Sequence, residues 1–261
     1  MNSPTNKSGV ESDDHAQLNL LRDKLEQSRE MIRRKQAQIV ELNSKIETLR
    51  GRGVDGREID PASHNSAEGM NGFFEEIQDE APYLRFGSAL RDLLDQEGIK
   101  VDEMSIGDFG VGPGIVLRKI LEGRSPSGVT AFDFSSVGLG HARRFLPDAK
   151  CEIRDILEES PGRFDLVLCT EVLEHLEPPE RAMRILLDSV AAGGTLLVTV
   201  PNGRIDHSRY HVNFWSPESW AHFIDVEVGR AAPHEFRVAT GVFSGVGDQL
   251  PRNNFAIIRN G

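Results

Sequence analysis

Apolar positions follow three successive rhythms along this chain. From Leu18 to Leu49 they recur every three and four residues: Leu18, Leu25, Ile32, Ile39 and Ile46 take the a positions of a heptad, and Leu21, Ser28, Lys35, Leu42 and Leu49 take the d positions. Eight of these ten are apolar, and neither Gly nor Pro interrupts residues 16–50, so the pattern predicts a coiled-coil helix there. Branched residues at a with leucine at d favour a two-stranded parallel homodimer. Ser28 and Lys35 weaken the middle of the seam, and Lys24 with Arg29 would repel in a parallel pair. The alternative is a solvated helix packed back on its own domain.

Residues 1–15 are polar and read as a disordered tail, and residues 51–66 read as a Gly/Asp/Ser/Pro linker. A second rhythm, with helical spacing, follows at Ala67–Asp79 and Pro82–Gln96, where Phe73, Phe74, Ile77, Leu84, Phe86, Leu90 and Leu94 form the expected buried faces. The third is an alternation. Short apolar runs at Glu103–Phe109, Gly128–Phe134, Lys150–Ile156, Phe164–Thr170 and Gly194–Val200 predict strands, with helices at Ile115–Leu121, Ser136–Phe145, Pro179–Val190 and Pro217–Ile224. Near-continuous apolar strands alternating with helices predict a parallel sheet covered on both faces. Glu235–Phe243 and Asn254–Arg259 lack an intervening helix and predict an antiparallel hairpin at one sheet edge. The fold class is therefore α/β, with a globular domain over 67–261 whose first helices, 67–100, cap it.

Charge narrows the choice of partner. The chain carries −11 formally, and because residues 1–50 are nearly balanced, the remainder carries −12. An acidic domain without a basic, aromatic-interleaved run argues against a nucleic-acid partner. Cys151 and Cys169 sit in strand-like runs without metal spacing and read as reduced core residues of a cytoplasmic protein. No apolar run approaches the ~20 residues of a membrane span.

The candidate chemistry gathers where the strands end. In open α/β sheets ligands sit beyond the carboxyl ends of the strands. The first strand ends in Asp108-Phe-Gly-Val-Gly-Pro-Gly114, and the glycines Gly110, Gly112 and Gly114 let the backbone turn tightly beside a helix N-terminus. The second ends at Asp133, placed to accept the two hydroxyls of a ribose, with Phe134 next to it. The third ends at Asp155-Ile156 and the fourth at Thr170-Glu171. The turn is not the Gly-x-Gly-x-x-Gly dinucleotide pattern, because its third glycine comes one residue early. A carboxylate at Asp108 would repel a pyrophosphate but suit a cationic cofactor such as S-adenosylmethionine.

These motifs together resemble the class I S-adenosylmethionine-dependent methyltransferases, from about Met104 to Gly203. The matching stretches are the glycine turn, Val129–Ser135, Asp155-Ile156, Phe164–Leu176 and Gly193–Asn202. The resemblance implies a Rossmann-like, seven-stranded, mostly parallel sheet and S-adenosylmethionine as cofactor. It also implies that Asp108, Gly110, Gly112, Gly114, Asp133, Phe134, Asp155, Ile156, Thr170 and Glu171 form the cofactor site. The implied reaction is in-line methyl transfer to a small-molecule acceptor, most readily a hydroxyl. An RNA terminus or an amine is an alternative acceptor, and a non-catalytic scaffold assembled by the coiled coil is an alternative of another class.

A hydroxyl acceptor benefits from a base or metal to take its proton. His175, His211 and His207 are the candidates, with His207 and His211 in the loop after the fifth strand. Glu171-Val-Leu-Glu-His175 is similar to the Glu-x-x-Glu-His set of ubiquinone-pathway O-methyltransferases and of small-RNA terminal methyltransferases. On a helix, Glu171 and His175 would share a face with Glu174; joined by His211 or His207 that face would suit a divalent metal, and the alternatives are a general base or merely capping and pairing. Phe73, Phe74 and Tyr83 are placed to close the pocket from the N-terminal side.

Overall fold

The computed structural model describes Lys24 and residues 61–77, 79–231, 236–244 and 252–261. The expected tail, the coiled-coil helix apart from Lys24, and the first ten residues of the linker lie outside the described residues. From Asp60 onward the chain forms one compact unit. Its elements are α1 (Pro61–His64), α2 (Ala67–Glu75), α3 (Ala81–Gln96), β1 (Ser105–Phe109), α4 (Ile115–Leu121), β2 (Gly128–Asp133), α5 (Ser136–Phe145), β3 (Lys150–Ile153), β4 (Phe164–Thr170), α6 (Pro179–Asp188), β5 (Val190–Pro201), α7 (Pro217–Ala231), β6 (Phe236–Phe243) and β7 (Asn253–Asn260). A 3-10 turn, Leu173–His175, follows β4.

One seven-stranded sheet runs β3-β2-β1-β4-β5-β7-β6. Strands β1 to β5 pair in parallel, and β7 runs antiparallel to both β5 and β6. The strand side chains alternate between two cores, as the period of two requires. Val167, Cys169, Val198 and Val200 face the layer of α6 and α7, where Met183, Leu186, Trp220 and Ile224 are buried. Leu166, Leu168, Leu197 and Ile257 face the layer of α3, α4 and α5, where Leu90, Leu94, Leu117 and Leu139 are buried. Burial on both faces is why the central strands carry so few polar residues.

Several boundaries differ from the sequence expectation, each for a local reason. β1 starts at Ser105 because Glu103 adopts a left-handed φ of 64°. β3 stops at Ile153, and Asp155 instead closes a turn by accepting from the Leu157 N–H at 2.8 Å. α7 continues to Ala231, seven residues past the expected end, and buries Glu227 and Val228. Phe73, expected in the core, is 41% exposed, while its neighbour Phe74 is buried. The fourth-strand motif was expected to lead into a helix whose face held Glu171, Glu174 and His175. Glu171 instead has a φ of 56° and only the short 3-10 turn follows, so no helical face presents the three together.

Candidate active site

Strand order reverses between β1 and β4, which opens a crevice at their carboxyl ends. A cavity of about 370 Å³ occupies it, of a size suited to a small-molecule ligand. Its floor is the turn after β1. Gly110, at φ 82°, lies so close to Val172 that a Cβ would stand 2.4 Å from the valine Cγ2. Gly114, at φ 78°, caps α4, and a Cβ there would meet the Ala142 backbone at 2.9 Å. Any larger residue at either position is therefore strained twice, by conformation and by contact.

The acids of the first two strands shape this turn. Asp133 accepts from the Gly112 N–H at 2.7 Å and from the Ser135 N–H at 2.8 Å, and its carboxyl lines the cavity. Burial pushes its pKa up, and the backbone donors oppose that shift. Asp108 is buried, and its Oδ1 has no hydrogen-bond partner. Burial, and then the neighbouring Asp133, push its pKa up to about 8. A cation brought to the turn would meet a carboxyl ready to ionise beside it.

Phe134, Asp155 and Ile156 line the cavity with Asp133, while Gly110 and Glu171 line the β1–β4 side. Gly112 and Gly114 belong to the same turn at positive φ but do not line the cavity. Thr170, half-buried at the end of β4, is not part of that wall. Glu171 is held from β5 and β7: Thr199 Oγ1 and Asn253 Nδ2 donate to its two oxygens at 2.9 and 2.8 Å. Burial pushes it to about 7. Arg154, Asn65, Met70 and Leu157 also line the cavity and were missed by sequence reasoning. Arg154 lay inside the expected third strand, Lys150–Ile156, and comes to the cavity because β3 ends at Ile153. Asn65 lay in a stretch read as linker, and Met70 lay in the expected helix Ala67–Asp79, whose buried face was assigned to Phe73, Phe74 and Ile77. Of the aromatic residues expected to close the pocket, only Phe74 reaches it.

At the inner end the candidate bases separate. His175 lines the cavity, and the His211 ring meets it edge-on with centroids 4.7 Å apart. His207 is exposed on the same loop and does not join them. Burial, and then His211, hold the His175 pKa down at about 4, so its imidazole is neutral near pH 7. His211 Nδ1 lies 2.6 Å from Asp206 Oδ2. The loop is clamped to the 3-10 turn, because Val212 and Asn213 donate their N–H groups to the Glu174 carbonyl at 2.8 and 3.1 Å. Glu174 is buried with Oε2 unpartnered, and burial drives its pKa well above the usual carboxylate range.

Glu174, His175 and His211 each offer one ligand atom, all within 4.8 Å of one another. A mixed carboxylate–imidazole set with a buried, unpartnered oxygen fits a divalent transition metal. Glu171 stays outside this set because its carboxylate is already held by Thr199 and Asn253.

Known proteins match this architecture. The curated relatives include the ubiquinone biosynthesis O-methyltransferases of Dechloromonas aromatica and Chromobacterium violaceum. The first is 30% identical over 120 residues, 42% of this chain and 50% of that protein. The second is 33% identical over 103 residues, 36% of this chain and 43% of that protein. The chain thus spans about half the length of the curated relatives it matches or less. Two solved structures share the fold. Magnesium protoporphyrin IX methyltransferase from Synechocystis, solved with bound SAM, is 14% identical with a TM-score of 0.56, covering 78% of this chain and 98% of that one. The plantazolicin methyltransferase BpumL, solved with SAH and a monoazolic desmethylPZN analog, is 17% identical with a TM-score of 0.57, covering 87% and 98%. The family model described as a methyltransferase domain matches residues 82–228, from the start of α3 to near the end of α7. Covering more than half of the chain and every strand that walls the cavity, that match makes the protein a member of the methyltransferase domain family.

Proposed function

We propose that this chain transfers the methyl group of S-adenosylmethionine to a hydroxyl of a small molecule. The observation that carries the reading is the single cavity wall shared by Gly110, Asp133, Asp155 and His175, with a buried Asp108 behind the turn. In this reading Asp133 takes the ribose, Phe134, Asp155 and Ile156 border the adenine, Glu171 faces the cationic methionine end, and Asp108 stands behind the glycine turn that holds it. The sulfonium methyl is already activated, so the protein's work is to align the acceptor oxygen and exclude water. His175 receives the acceptor's proton, with His211 beside it and His207 as a more distant candidate. The relatives named as O-methyltransferases support the hydroxyl, and the acidic domain favours a small molecule over RNA.

Isothermal titration is expected to show one S-adenosylmethionine site per chain. Hydroxyl compounds in an acceptor panel are then expected to release S-adenosylhomocysteine, and amines are not. No binding at millimolar ligand would sink the reading. Binding without release on any acceptor would favour a scaffold that only holds the cofactor.

A second reading is favoured by Glu174, His175 and His211, which would hold a divalent cation. When bound, it would polarise the acceptor hydroxyl and lower its pKa. With His175 held near pKa 4, a neutral imidazole alone is a weak base, so a cation would add most where the acceptor is a poor acid. Chelation is then expected to abolish methyl transfer while leaving S-adenosylmethionine affinity unchanged. Full activity after chelation removes this reading.

The heptads of residues 16–50 we assign to homodimerisation, and the reduced cysteines to a cytoplasmic location; both cysteines are free of disulfides. Among the described residues no helix is long and apolar enough to cross a membrane. Light scattering should report a dimer for the full chain and a monomer for a chain starting at Asp60. If both scatter as monomers, the heptads do not pair.

A further inference from the structure

Asn65 stands between α1 and α2, yet its polar contacts are all at the far end of the cavity. Its Nδ2 donates to the Tyr210 carbonyl at 2.9 Å and to the His175 carbonyl at 3.3 Å. Exchanging the amide nitrogen and oxygen would set acceptor against acceptor twice, so this network determines the orientation of the side chain. Asn65 Oδ1 then lies 3.0 Å from His175 Nδ1. The other group beside that nitrogen is again a carbonyl, that of Tyr210 at 3.3 Å. A ring nitrogen facing two acceptors carries the proton. In a neutral imidazole Nε2 is consequently bare, and it lies 3.9 Å from Glu174 Oε1.

We propose that Asn65 is a positioning residue for methyl transfer: it holds His175 in the Nδ1–H tautomer, leaving the Nε2 lone pair to receive the acceptor's proton. This role rests on the methyl-transfer reading above. The acceptor oxygen forms its bond to the methyl carbon as the S–CH₃ bond breaks and its electron pair returns to sulfur. The hydroxyl proton passes to Nε2, which only an unprotonated nitrogen can accept.

The segment carrying Asn65 also covers the cofactor cavity. Met70 and Phe74 line it, and Asn71 Oδ1 accepts from Ser135 Oγ at 2.7 Å and from the Val137 N–H at 3.2 Å. His64 stacks on Tyr210 with ring centroids 3.7 Å apart. One strap therefore touches the cofactor wall through Asn71 and the base through Asn65. Laying it over a bound cofactor sets the histidine at the same time.

The test is a long-range ¹H–¹⁵N spectrum of the histidine rings in the full chain, saturated with S-adenosylhomocysteine at neutral pH. His175 is assigned by its loss in His175→Gln. The expected wild-type spectrum shows Nδ1 protonated and Nε2 bare. In Asn65→Leu the remaining acceptor, at 3.3 Å, is the longer of the two, so at least half of the ring population is expected to move to Nε2–H. S-adenosylhomocysteine affinity in that variant should stay within about threefold, since Asn71, Met70 and Phe74 are untouched. A wild-type ring protonated at Nε2 overturns the proposal by itself, whether or not the variant folds. So does an Asn65→Leu ring that keeps the Nδ1–H form. Absence of S-adenosylhomocysteine binding to the wild type overturns the methyl-transfer reading instead, and this role falls with it.

Discussion

Asp108→Asn is expected to raise the unfolding midpoint of the ligand-free protein by roughly 10–20 °C above pH 8 and by almost nothing below pH 4. The cause is the cost of ionising a carboxyl that the fold buries at the end of β1, with Oδ1 unpartnered. Its pKa stands at about 8 in the folded chain, against 3.8 for an unburied aspartate. Below 3.8 both states hold the proton and the site costs nothing. Between 3.8 and 8 the unfolded chain has released the proton while the folded chain keeps it, so stability falls as pH rises. Above 8 the full penalty applies, on the order of 6 kcal/mol by the conversion of 1.36 kcal/mol per pKa unit. For a domain of about 200 residues each kcal/mol moves the midpoint by roughly 2–4 °C. Asparagine has nearly the same shape and cannot titrate, so the slope should vanish with it. The same substitution is expected to weaken S-adenosylmethionine binding and to remove its rise with pH, because the ligand's cations stabilise the ionised form of Asp108. Differential scanning fluorimetry from pH 4 to 9, with and without ligand, measures both effects. Parallel wild-type and variant curves across that range would show that the Asp108 proton is not linked to folding.

That a stabilising change should cost ligand binding is what a site built ahead of its ligand predicts. It also explains which parts of this molecule were legible in the sequence. The glycine turn could be read because single residues dictate it: no other side chain fits at Gly110 or Gly114. α4 and α5 coincide with the expected Ile115–Leu121 and Ser136–Phe145, since local spacing and the following breaks decide their ends. Glu171 to His175 was misread as a helical face because its spacing is helical. What overrides the spacing is tertiary: Asn253, 82 residues away, and Thr199 draw the Glu171 carboxylate toward β5 and β7. Asn65 carried no signal at all. A polar residue in a Gly/Ser/Asp stretch has the composition of a linker, and its role appears only once the carbonyls of His175 and Tyr210 are brought to it by the sheet. Pairings over such distances leave no periodic trace.

Asp133→Ala is expected to weaken S-adenosylmethionine binding by about 10²- to 10⁴-fold, the largest loss from any single change at the cavity wall. A carboxylate has about four acceptor positions; the N–H groups of Gly112 and Ser135 each take one, on different oxygens, and the Phe134 N–H also acts on it. In the proposed reading the ribose hydroxyls take the remaining acceptor capacity. Hydrogen bonds to a charged acceptor contribute about 1.5–3 kcal/mol each, which sets the range when two are lost. Alanine also leaves the two backbone donors without a partner, and the Gly112 N–H belongs to the turn that faces the ligand. Asp133→Asn separates these contributions. Its oxygen can satisfy one of the two donors, but its NH₂ must then face the other, donor against donor, so the turn cannot keep both bonds. The asparagine variant should therefore bind nearly as poorly as the alanine variant, although it retains the size of the side chain. Isothermal titration gives the affinities, and far-ultraviolet circular dichroism checks that the sheet is intact in both. Wild-type affinity in a folded Asp133→Asn would mean that neither the brace on the glycine turn nor the ribose contact depends on the carboxylate, and the ribose would then have to be sought at Asp155.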